Sequence, residues 1–523
     1  MIEFTALDWL WVWVYIVLIL IFGILFTKRA GKSSSEFFIA DRKLPAIFPA
    51  LSVFATHFAS DTPMWFSGCM YPHGLRGLWY GFFPAWCSTS AFSSTRVFRR
   101  VAVFTQAEYM TQRFGGMGSE LVRGWIAGWQ TFMNMFVLGW VGVAMGKVCT
   151  YLFEWPLWYG LVLFSTFCAI YTLTSGYWGV VVTDTVQAVM QWFAIIAVSV
   201  VGVIAVGGIG GLIDGLNAQG LGWMLNPFAF TGIVSGQFPL LWWITMLLFT
   251  IVGGLGMGIH CDWYVEAQRI QSARTVKDAS YSMWSGSVMV LLRNAVWALA
   301  ILCFIVLCPG IASSAEYEMG WFRVGFEYLP VGMVGFFFAC IVAIHFSTID
   351  THLNLSVMYA TRDLYNHYIN PKATEKQIVL VGRVVTAIVL VGSFFFGLMI
   401  GDNILKWLVF TMWIMLAGIW LPNILQVLWW RVNSWGYLSA WMLNLVLSWL
   451  VVWILPTRAL ADYLQFWILM IVVGVIFLVI TFLTKPEDMD TLTRFYTMAH
   501  PPGFWGPVKK ETERRLKESE VGL

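Results

Sequence analysis

The chain has 523 residues, of which 59% are hydrophobic and 17% aromatic, whereas only 11% are charged. A water-soluble domain of this size could not carry that composition without exposing large apolar patches, so a soluble protein is excluded. The formal net charge of +3 gives no reason to expect a nucleic-acid partner. The eight cysteines lie almost entirely in apolar segments without metal-ligand spacing, and we interpret them as small buried hydrophobic residues.

Apolar stretches long enough to cross a bilayer recur from the N-terminus almost to the C-terminal tail. Because one span needs roughly 20 mostly apolar residues, the sequence predicts an all-α integral membrane protein with about 13 transmembrane helices. The first stretch has no basic region before it and no small-residue cleavage site, so we interpret it as a helix and not as a signal peptide. The helices are predicted near residues 9–27, 44–71, 78–98, 122–152, 157–174, 180–207, 239–263, 282–308, 330–365, 378–399, 405–430, 436–456 and 464–484.

Lysine and arginine are concentrated in alternate loops, as this helix count requires. The basic loops include residues 28–43, 96–123 and 269–277 and the tail after residue 484, and the short loop near Gly176 is the exception because it has no basic residue. Basic loops face the cytoplasm. The pattern therefore predicts a multi-pass protein of the cell membrane, with its N-terminus outside and its C-terminus in the cytoplasm. In a bacterium this membrane would be the inner membrane.

Two of the predicted helices contain residues that do not suit a helix surrounded by lipid. The second contains Ser52, Asp61 and Pro63, and the seventh contains several glycines between Gly253 and His260. Irregular backbone at membrane depth is tolerated where it lines a cavity or is buried in protein, and paired broken helices are typical of transporters with a site at the midplane. The alternative is that glycine and proline are simply common in membrane helices.

Other functional classes lack the features they need. A sensor derived from a transporter would need an output domain, but the residues after 484 are polar, charged and without a core pattern. A membrane enzyme would need a catalytic constellation, and the sequence contains no metal motif, nucleophile elbow or phosphate loop. We therefore expect a transporter and not an enzyme.

Four stretches of the sequence resemble the sodium:solute symporter family, which includes the sodium/glucose and sodium/proline symporters. They are residues 36–45, 175–187, 268–278 and 346–365. The resemblance implies the inverted five-plus-five repeat of LeuT-like transporters, with two broken helices, one helix before the core and two after it. The expected division is an N-terminal helix and loop (1–43), a ten-helix transport core (44–432), two C-terminal helices (433–484) and a cytoplasmic tail (485–523).

The resemblance also implies a sodium site between the first broken helix and the ninth helix. Its ligands would be the carbonyls of Ala55, Phe58 and Ile344 and the hydroxyls of Ser347 and Thr348. Such a set suits Na+, a hard cation that prefers oxygen ligands, because an unwound helix offers free carbonyls. Without the resemblance, both hydroxyls could instead bond to a carbonyl one turn earlier in their own helix.

A second cation site is suggested by Asp184, since an ionisable residue within a membrane helix is a functional candidate. In some members of the family the matching aspartate faces hydroxyl groups, whereas the corresponding positions here are Asp350 and Thr351. Two carboxylates could bind a cation more tightly, or could share a proton because both cannot easily ionise. The alternative is that Asp184 caps a helix or pairs with a charge near the cytoplasmic interface.

The sequence indicates the identity of the solute less directly than the cation sites. Where the family's sugar symporters carry glutamine and glutamate, this chain has Thr62 and Gly81, so a glucose-like site is not reproduced. Asp61 within aromatic walls would suit a cationic or quaternary ammonium solute, but tryptophan faces also stack on sugar rings. Asp61 could instead only cap the helix that begins beside Pro63. The candidate residues of the solute cavity are Asp61, Thr62, Trp65, His57, Trp79, His260, Trp263, Tyr264 and Trp413.

These observations together predict a Na+-coupled secondary symporter that imports a small polar organic solute by alternating access. The alternatives are a solute sensor without transport and a symporter driven by protons. The expected partners are the solute and the lipid bilayer, and nothing in the sequence points to an obligate protein partner.

Overall fold

The computed structural model describes residues 4–30, 32–81, 94–228, 238–251, 266–401 and 409–521, together with residues 232 and 407. These residues form helices and connecting segments and contain no β-strand. The helices of the first half are α1 (Ala6–Ala30), α2 (Ser34–Ile39), α3 (Ile47–Thr56), α4 (Thr62–His73), α5 (Ser94–Val101), α6 (Gln106–Arg113), α7 (Gly116–Phe153), α8 (Leu157–Leu173), α9 (Ser175–Ala205) and α10 (Gly208–Ala218).

The second half contains the remaining helices and several short 3-10 and π turns. The helices are α11 (Leu240–Ile251), α12 (Glu266–Ser272), α13 (Val276–Leu307), α14 (Ser314–Tyr317), α15 (Gly320–Tyr328), α16 (Val334–Met358), α17 (Glu375–Ile400), α18 (Trp420–Leu428), α19 (Ser434–Trp449), α20 (Asp462–Leu483), α21 (Met489–Ala499) and α22 (Gly506–Val521).

Eight helices of the described part are long and apolar enough to cross a membrane, namely α1, α7, α9, α13, α16, α17, α19 and α20. Three shorter apolar segments, α3, α8 and Ala417–Leu428, accompany them. An all-helical membrane protein is therefore confirmed, whereas the count of about 13 spans and the inverted repeat stay predictions.

The first broken helix lies where the sequence predicts it. Helix α3 ends at Thr56, α4 begins at Thr62, and Pro63 stands in the first turn of α4. Proline suits a helix start because it has no N–H to donate to a preceding turn. The predicted second break, from Gly253 to His260, lies outside the described residues, which resume with α12 after the end of α11.

Gly176, in the first turn of α9, kinks the chain just after α8 and explains the short connection predicted there. Its φ of +54° is in the region that favours glycine, and an added Cβ would lie 2.8 Å from the ring of Phe37. The turn therefore needs a residue without a side chain for both conformation and space.

Helix α16 lies at the centre of the molecule. Nearly all its residues are buried, and it packs against α1, α3, α7 and α9. Helices α1 and α17 are mostly exposed by contrast, as expected of helices that face lipid. Polar residues from several helices therefore meet against α16 in the interior of the protein.

The C-terminal tail is folded, so the expectation that it has no core pattern is wrong. Leu492, Phe495 and Val508 are fully buried. Trp505 donates its indole N–H to the carbonyl of Val427 at 2.9 Å, and its ring centroid lies 4.9 Å from the guanidinium of Arg113. The buried residues recur at the spacing of one helix face, but charged residues between them hide this pattern in the sequence.

Candidate functional site

Oxygen atoms from two distant parts of the chain meet where α3 ends against α16. The hydroxyl of Ser347 lies 3.1 Å from the carbonyl oxygen of Ala55 and 2.9 Å from that of Ile344. The hydroxyl of Thr348 lies 3.3 Å from the carbonyl oxygen of Thr56. These three carbonyls and two hydroxyls are buried, and oxygen ligands of this kind suit a hard cation.

The position of this cluster follows from the break in the first helix. The last carbonyls of a helix have no partner within it, and the helix dipole places partial negative charge at that end. Because α3 stops at Thr56, this negative end lies against α16 in the interior of the protein. We call the cluster of Ala55, Thr56, Ile344, Ser347 and Thr348 the α3–α16 oxygen cluster.

The cluster contains four of the five residues implied for the sodium site. The fifth residue, Phe58, is also buried in the break, where its amide donates to the carbonyl of Ala55 at 3.1 Å. Its ring packs edge-on against Trp297, with the ring centroids 4.4 Å apart. Thr56, whose carbonyl joins the cluster, is absent from the set implied by the resemblance.

Sequence reasoning missed Gln191 on α9. Its amide nitrogen donates to the carbonyl of Ala55 at 3.0 Å and lies 3.4 Å from the hydroxyl of Ser347. Its amide oxygen has no hydrogen-bond partner among the described residues, so a turn of the amide can offer this oxygen to a cation. The sequence feature that could have identified Gln191 is a polar side chain two turns after Asp184 in an apolar helix.

Two of the three residues of the suggested second cation site, Asp184 and Thr351, contact a buried arginine. Asp184 accepts from the Ser52 hydroxyl at 2.5 Å and from the guanidinium of Arg269 at 3.3 Å, and Arg269 also donates to Thr351 at 2.8 Å. The sequence interpretation counted Arg269 among the basic loop residues, but its side chain is fully buried.

Asp350 lies on the same helix and takes a different partner. The hydroxyl of Tyr171 donates to Oδ2 of Asp350, and both side chains are buried. Oδ1 of Asp350 and Oδ1 of Asp184 have no hydrogen-bond partner among the described residues. Tyr171 was not identified from the sequence because its role depends on how α8 packs against α16.

Asp61 is buried at the end of the break. It precedes α4, but its side chain makes no capping hydrogen bond to that helix, and Oδ1 has no hydrogen-bond partner in the described part of the chain. Thr62 uses its hydroxyl to accept from the amide of Ala59 at 3.0 Å, and Trp65 is buried one turn later in α4. The side chain of Asp61 therefore does not act as a cap of α4.

His57 lies in the break but is held by protein groups. Its Nε2 lies 3.1 Å from a carboxylate oxygen of Glu266, and its Nδ1 lies 2.7 Å from the carbonyl of Val53. The carbonyl of His57 accepts from the guanidinium of Arg293 at 2.8 Å. Glu266 and Arg293 therefore fix the unwound segment, a role that the sequence did not reveal.

Of the remaining candidates for the solute cavity, the structure describes only Trp79 in full. Trp79 donates its indole N–H to the carbonyl of Pro227 at 3.0 Å, and its ring lies 5.2 Å from that of Trp243. Trp79 therefore packs against an aromatic residue of α11. Three candidates, His260, Trp263 and Tyr264, and the side chain of Trp413 lie outside what the structure describes.

Comparisons with known proteins show the family of the chain. The model of the sodium:solute symporter family matches residues 37–444. The osmoregulated proline transporter OpuE of Bacillus subtilis (strain 168) is 24% identical over 465 residues, which cover 86% of this chain and 89% of that protein. The sodium/glucose cotransporter of Vibrio parahaemolyticus is 24% identical over 406 residues, which cover 72% and 71% of the two chains.

A solved structure of a transporter has a similar fold. The substrate-bound, outward-open state of a Na+-coupled sialic acid symporter matches with a TM-score of 0.75 at 16% identity, covering 93% of this chain and all of that one. The relatives are transporters, which confirms the expectation of a transporter and not an enzyme. The chain is therefore a multi-pass membrane protein that belongs to the sodium:solute symporter family.

Proposed function

We propose that this chain is a Na+-coupled secondary symporter that imports a small polar organic solute by alternating access. The observation that carries the proposal is the α3–α16 oxygen cluster, in which Ser347 contacts the carbonyl of Ala55 across the interface of two helices. A cation bound there would hold α3 against α16, and its release would free them to separate. Ion binding is thereby linked to the arrangement of the helices.

The solute is proposed to bind beside the break, near Asp61. The break joins the carbonyl of Ala55 to Asp61 within two helical turns, so ion and solute would share one unwound segment. The similar proteins described above are transporters of proline, glucose and sialic acid. These are all small polar organic molecules, which supports the class of solute but does not select one.

A proton-driven symporter is the second candidate because Asp350 is a buried carboxylate where a hydroxyl was expected. A solute sensor without transport is the third alternative. The orientation proposed from the basic loops, with the N-terminus outside and the C-terminus in the cytoplasm, belongs to the same proposal and would make inward Na+ flow drive uptake.

The test is uptake of labelled sugars, amino acids, betaines and carboxylates into proteoliposomes that contain the purified protein. Each solute is offered with an inward Na+ gradient, with an inward proton gradient, and with neither. We expect one class to accumulate with the Na+ gradient alone. Accumulation with the proton gradient alone would favour the second candidate, and solute binding without any uptake would favour the sensor.

A further inference from the structure

A cavity of about 590 Å³ lies at the ends of several membrane helices, away from the break in the first helix. Its walls come from the ends of α1, α8 and α16, from α2 and the residues before it, and from the first turns of α17. The described residues that line it include none of α3 or α4. The cavity is therefore separate from the α3–α16 oxygen cluster.

Three basic side chains lie around this cavity. Lys32 precedes α2, and Lys376 and Arg383 belong to α17. All three are exposed, and none forms an ion pair or a hydrogen bond with another described residue. Glu375 is the one acidic residue of the described lining, and it lies in the first turn of α17, where the positive end of the helix dipole offsets part of its charge. The cavity therefore attracts an anion.

Arg383 lies deeper along its helix than the other two cations. It follows Glu375 by a little over two turns, which is about 12 Å along α17. Its neighbours Leu380 and Val384 are 61% and 53% exposed, as expected of a helix face that contacts lipid. A charge on such a face is costly unless it reaches polar groups or an opposite charge. An anion in the cavity would supply that opposite charge.

The rest of the cavity is largely apolar and continues onto the outer face of α17. Leu173 and Val357 form part of its wall. Leu380, Val384 and Ile388 are all exposed and recur every four residues, so they lie on one side of α17. A molecule with an anionic head and an apolar chain matches both parts, because its head would meet the basic side chains and its chain would follow this apolar face.

We propose that this cavity binds one anionic phospholipid, with its phosphate between Lys32, Lys376 and Arg383 and an acyl chain along α17. Basic pockets between membrane helices suit such head groups, and these helix ends are the ones that the basic loops predict to be cytoplasmic. The bound lipid would join α1, α8, α16 and α17 at one end. The inference goes beyond the proposed function, because it needs neither Na+ nor a solute.

The test is native mass spectrometry of the purified, delipidated protein titrated with phosphatidylglycerol, or with phosphatidylcholine as the zwitterionic comparison. We expect the first phosphatidylglycerol to bind about tenfold more tightly than phosphatidylcholine, because the basic side chains act only on a net negative charge. Glycerol 3-phosphate, which has the phosphate without the acyl chains, should not displace it. Equal affinities of the two lipids would overturn the inference, and so would displacement by glycerol 3-phosphate.

Two charge variants locate the head group. Lys376→Gln and Arg383→Gln should each weaken phosphatidylglycerol binding about fivefold and leave phosphatidylcholine binding unchanged, since each removes one basic residue near the phosphate. Lys277→Gln is the matched control, because Lys277 is the second residue of α13 as Lys376 is of α17, but it does not line the cavity. The same phosphatidylglycerol affinity in all three variants would overturn the inference.

A third variant tests the cavity without changing its charge. Leu173→Trp places a larger side chain in the wall and should also weaken phosphatidylglycerol binding, whereas Leu163→Trp, at an exposed position of α8 outside the cavity, should not. Unchanged binding in Leu173→Trp would contradict a lipid seated in the cavity. If this variant does not fold, the charge variants still decide, because they alter exposed side chains without partners in the described part of the chain.

Discussion

The hydroxyl of Ser347 lies 3.1 Å from the carbonyl oxygen of Ala55, although 292 positions separate the two residues in the chain. The same hydroxyl lies 2.9 Å from the carbonyl of Ile344 in its own helix. The back-bond expected of any serine in an apolar helix is therefore present, but it is not the only contact. Ser347 brings oxygens of two helices together, which an ordinary helix-packing serine does not need to do.

Ser347→Ala and Thr348→Ala should each weaken Na+ binding, because each removes an oxygen from the cluster. We expect about a tenfold loss of Na+ affinity, which corresponds to roughly 1.4 kcal/mol, the scale of one hydrogen-bonding group. Na+ titration of the purified variants measures it. Thr386→Ala is the control, because Thr386 is also buried but bonds to Gly382 within α17. Unchanged affinity in both variants would place the ion elsewhere.

Gln191→Leu should also lower Na+ affinity by about tenfold, because it removes the donor that fixes the Ala55 carbonyl and a possible ligand oxygen. The matched control is Gln187→Leu, one turn earlier in α9, where the amide donates to the hydroxyl of Tyr15 at 2.9 Å. Only the first variant should change the Na+ titration. Equal effects of the two variants would mean that Gln191 acts through packing of the helix.

Asp61→Asn should impair solute binding more than Na+ binding. The side chain does not cap α4, and its Oδ1 has no hydrogen-bond partner among the described residues. If this oxygen binds the solute, the loss should be roughly tenfold in solute affinity. The two affinities are measured separately on one preparation. Asp8→Asn is the control, since Asp8 is also buried but accepts from the backbone N–H of Gly335 at 2.7 Å. Unchanged solute affinity in Asp61→Asn would remove the main reason for favouring a cationic solute.

Trp505→Ala should destabilise the protein, because it removes a buried ring from the contact between the tail and Arg113. A loss of about 3–5 kcal/mol is usual for a buried aromatic side chain, and a lower Tm in detergent would report it. Phe504→Ala, which truncates the neighbouring ring that is 73% exposed, should leave the Tm nearly unchanged. Similar Tm values for the two variants would show that the tail contributes little to stability.

The proposed orientation is tested with tags at the two ends of the chain. A tag at the N-terminus should be labelled in intact cells by a reagent that does not cross membranes, because the basic loops predict that this end is outside. A tag at the C-terminus should be labelled only after the cells are opened. Labelling of the C-terminal tag in intact cells would mean that the predicted number of spans is wrong by one.

The first break and the oxygen cluster were accessible from the sequence for different reasons. Asp61 and Pro63 within an apolar stretch predict an interruption by local chemistry alone, and the structure has one there. Ala55, Ile344, Ser347 and Thr348 depended on the resemblance, because nothing local shows that α3 meets α16. The Thr56 carbonyl and the Gln191 amide were not predicted, since their roles arise only from packing.

The residues that the sequence did not reveal are mostly charges whose partners come from distant helices. Arg269 follows a predicted span, and its position and charge therefore suggest a loop. Only the packing of α12 against α3 shows that it is buried. The contact of His57 with Glu266 is of the same kind. The fold of the tail was missed because its exposed charges obscure a short buried face.

The central claim is that sodium bound at the α3–α16 oxygen cluster drives solute uptake. The most direct test compares solute accumulation by wild-type protein and by Ser347→Ala/Thr348→Ala in proteoliposomes with an inward Na+ gradient. We predict accumulation by the wild type that disappears when potassium replaces sodium or an ionophore collapses the gradient, and little accumulation by the variant at the same Na+ concentration. Equal accumulation by both proteins, or wild-type accumulation that persists without sodium, would contradict the account.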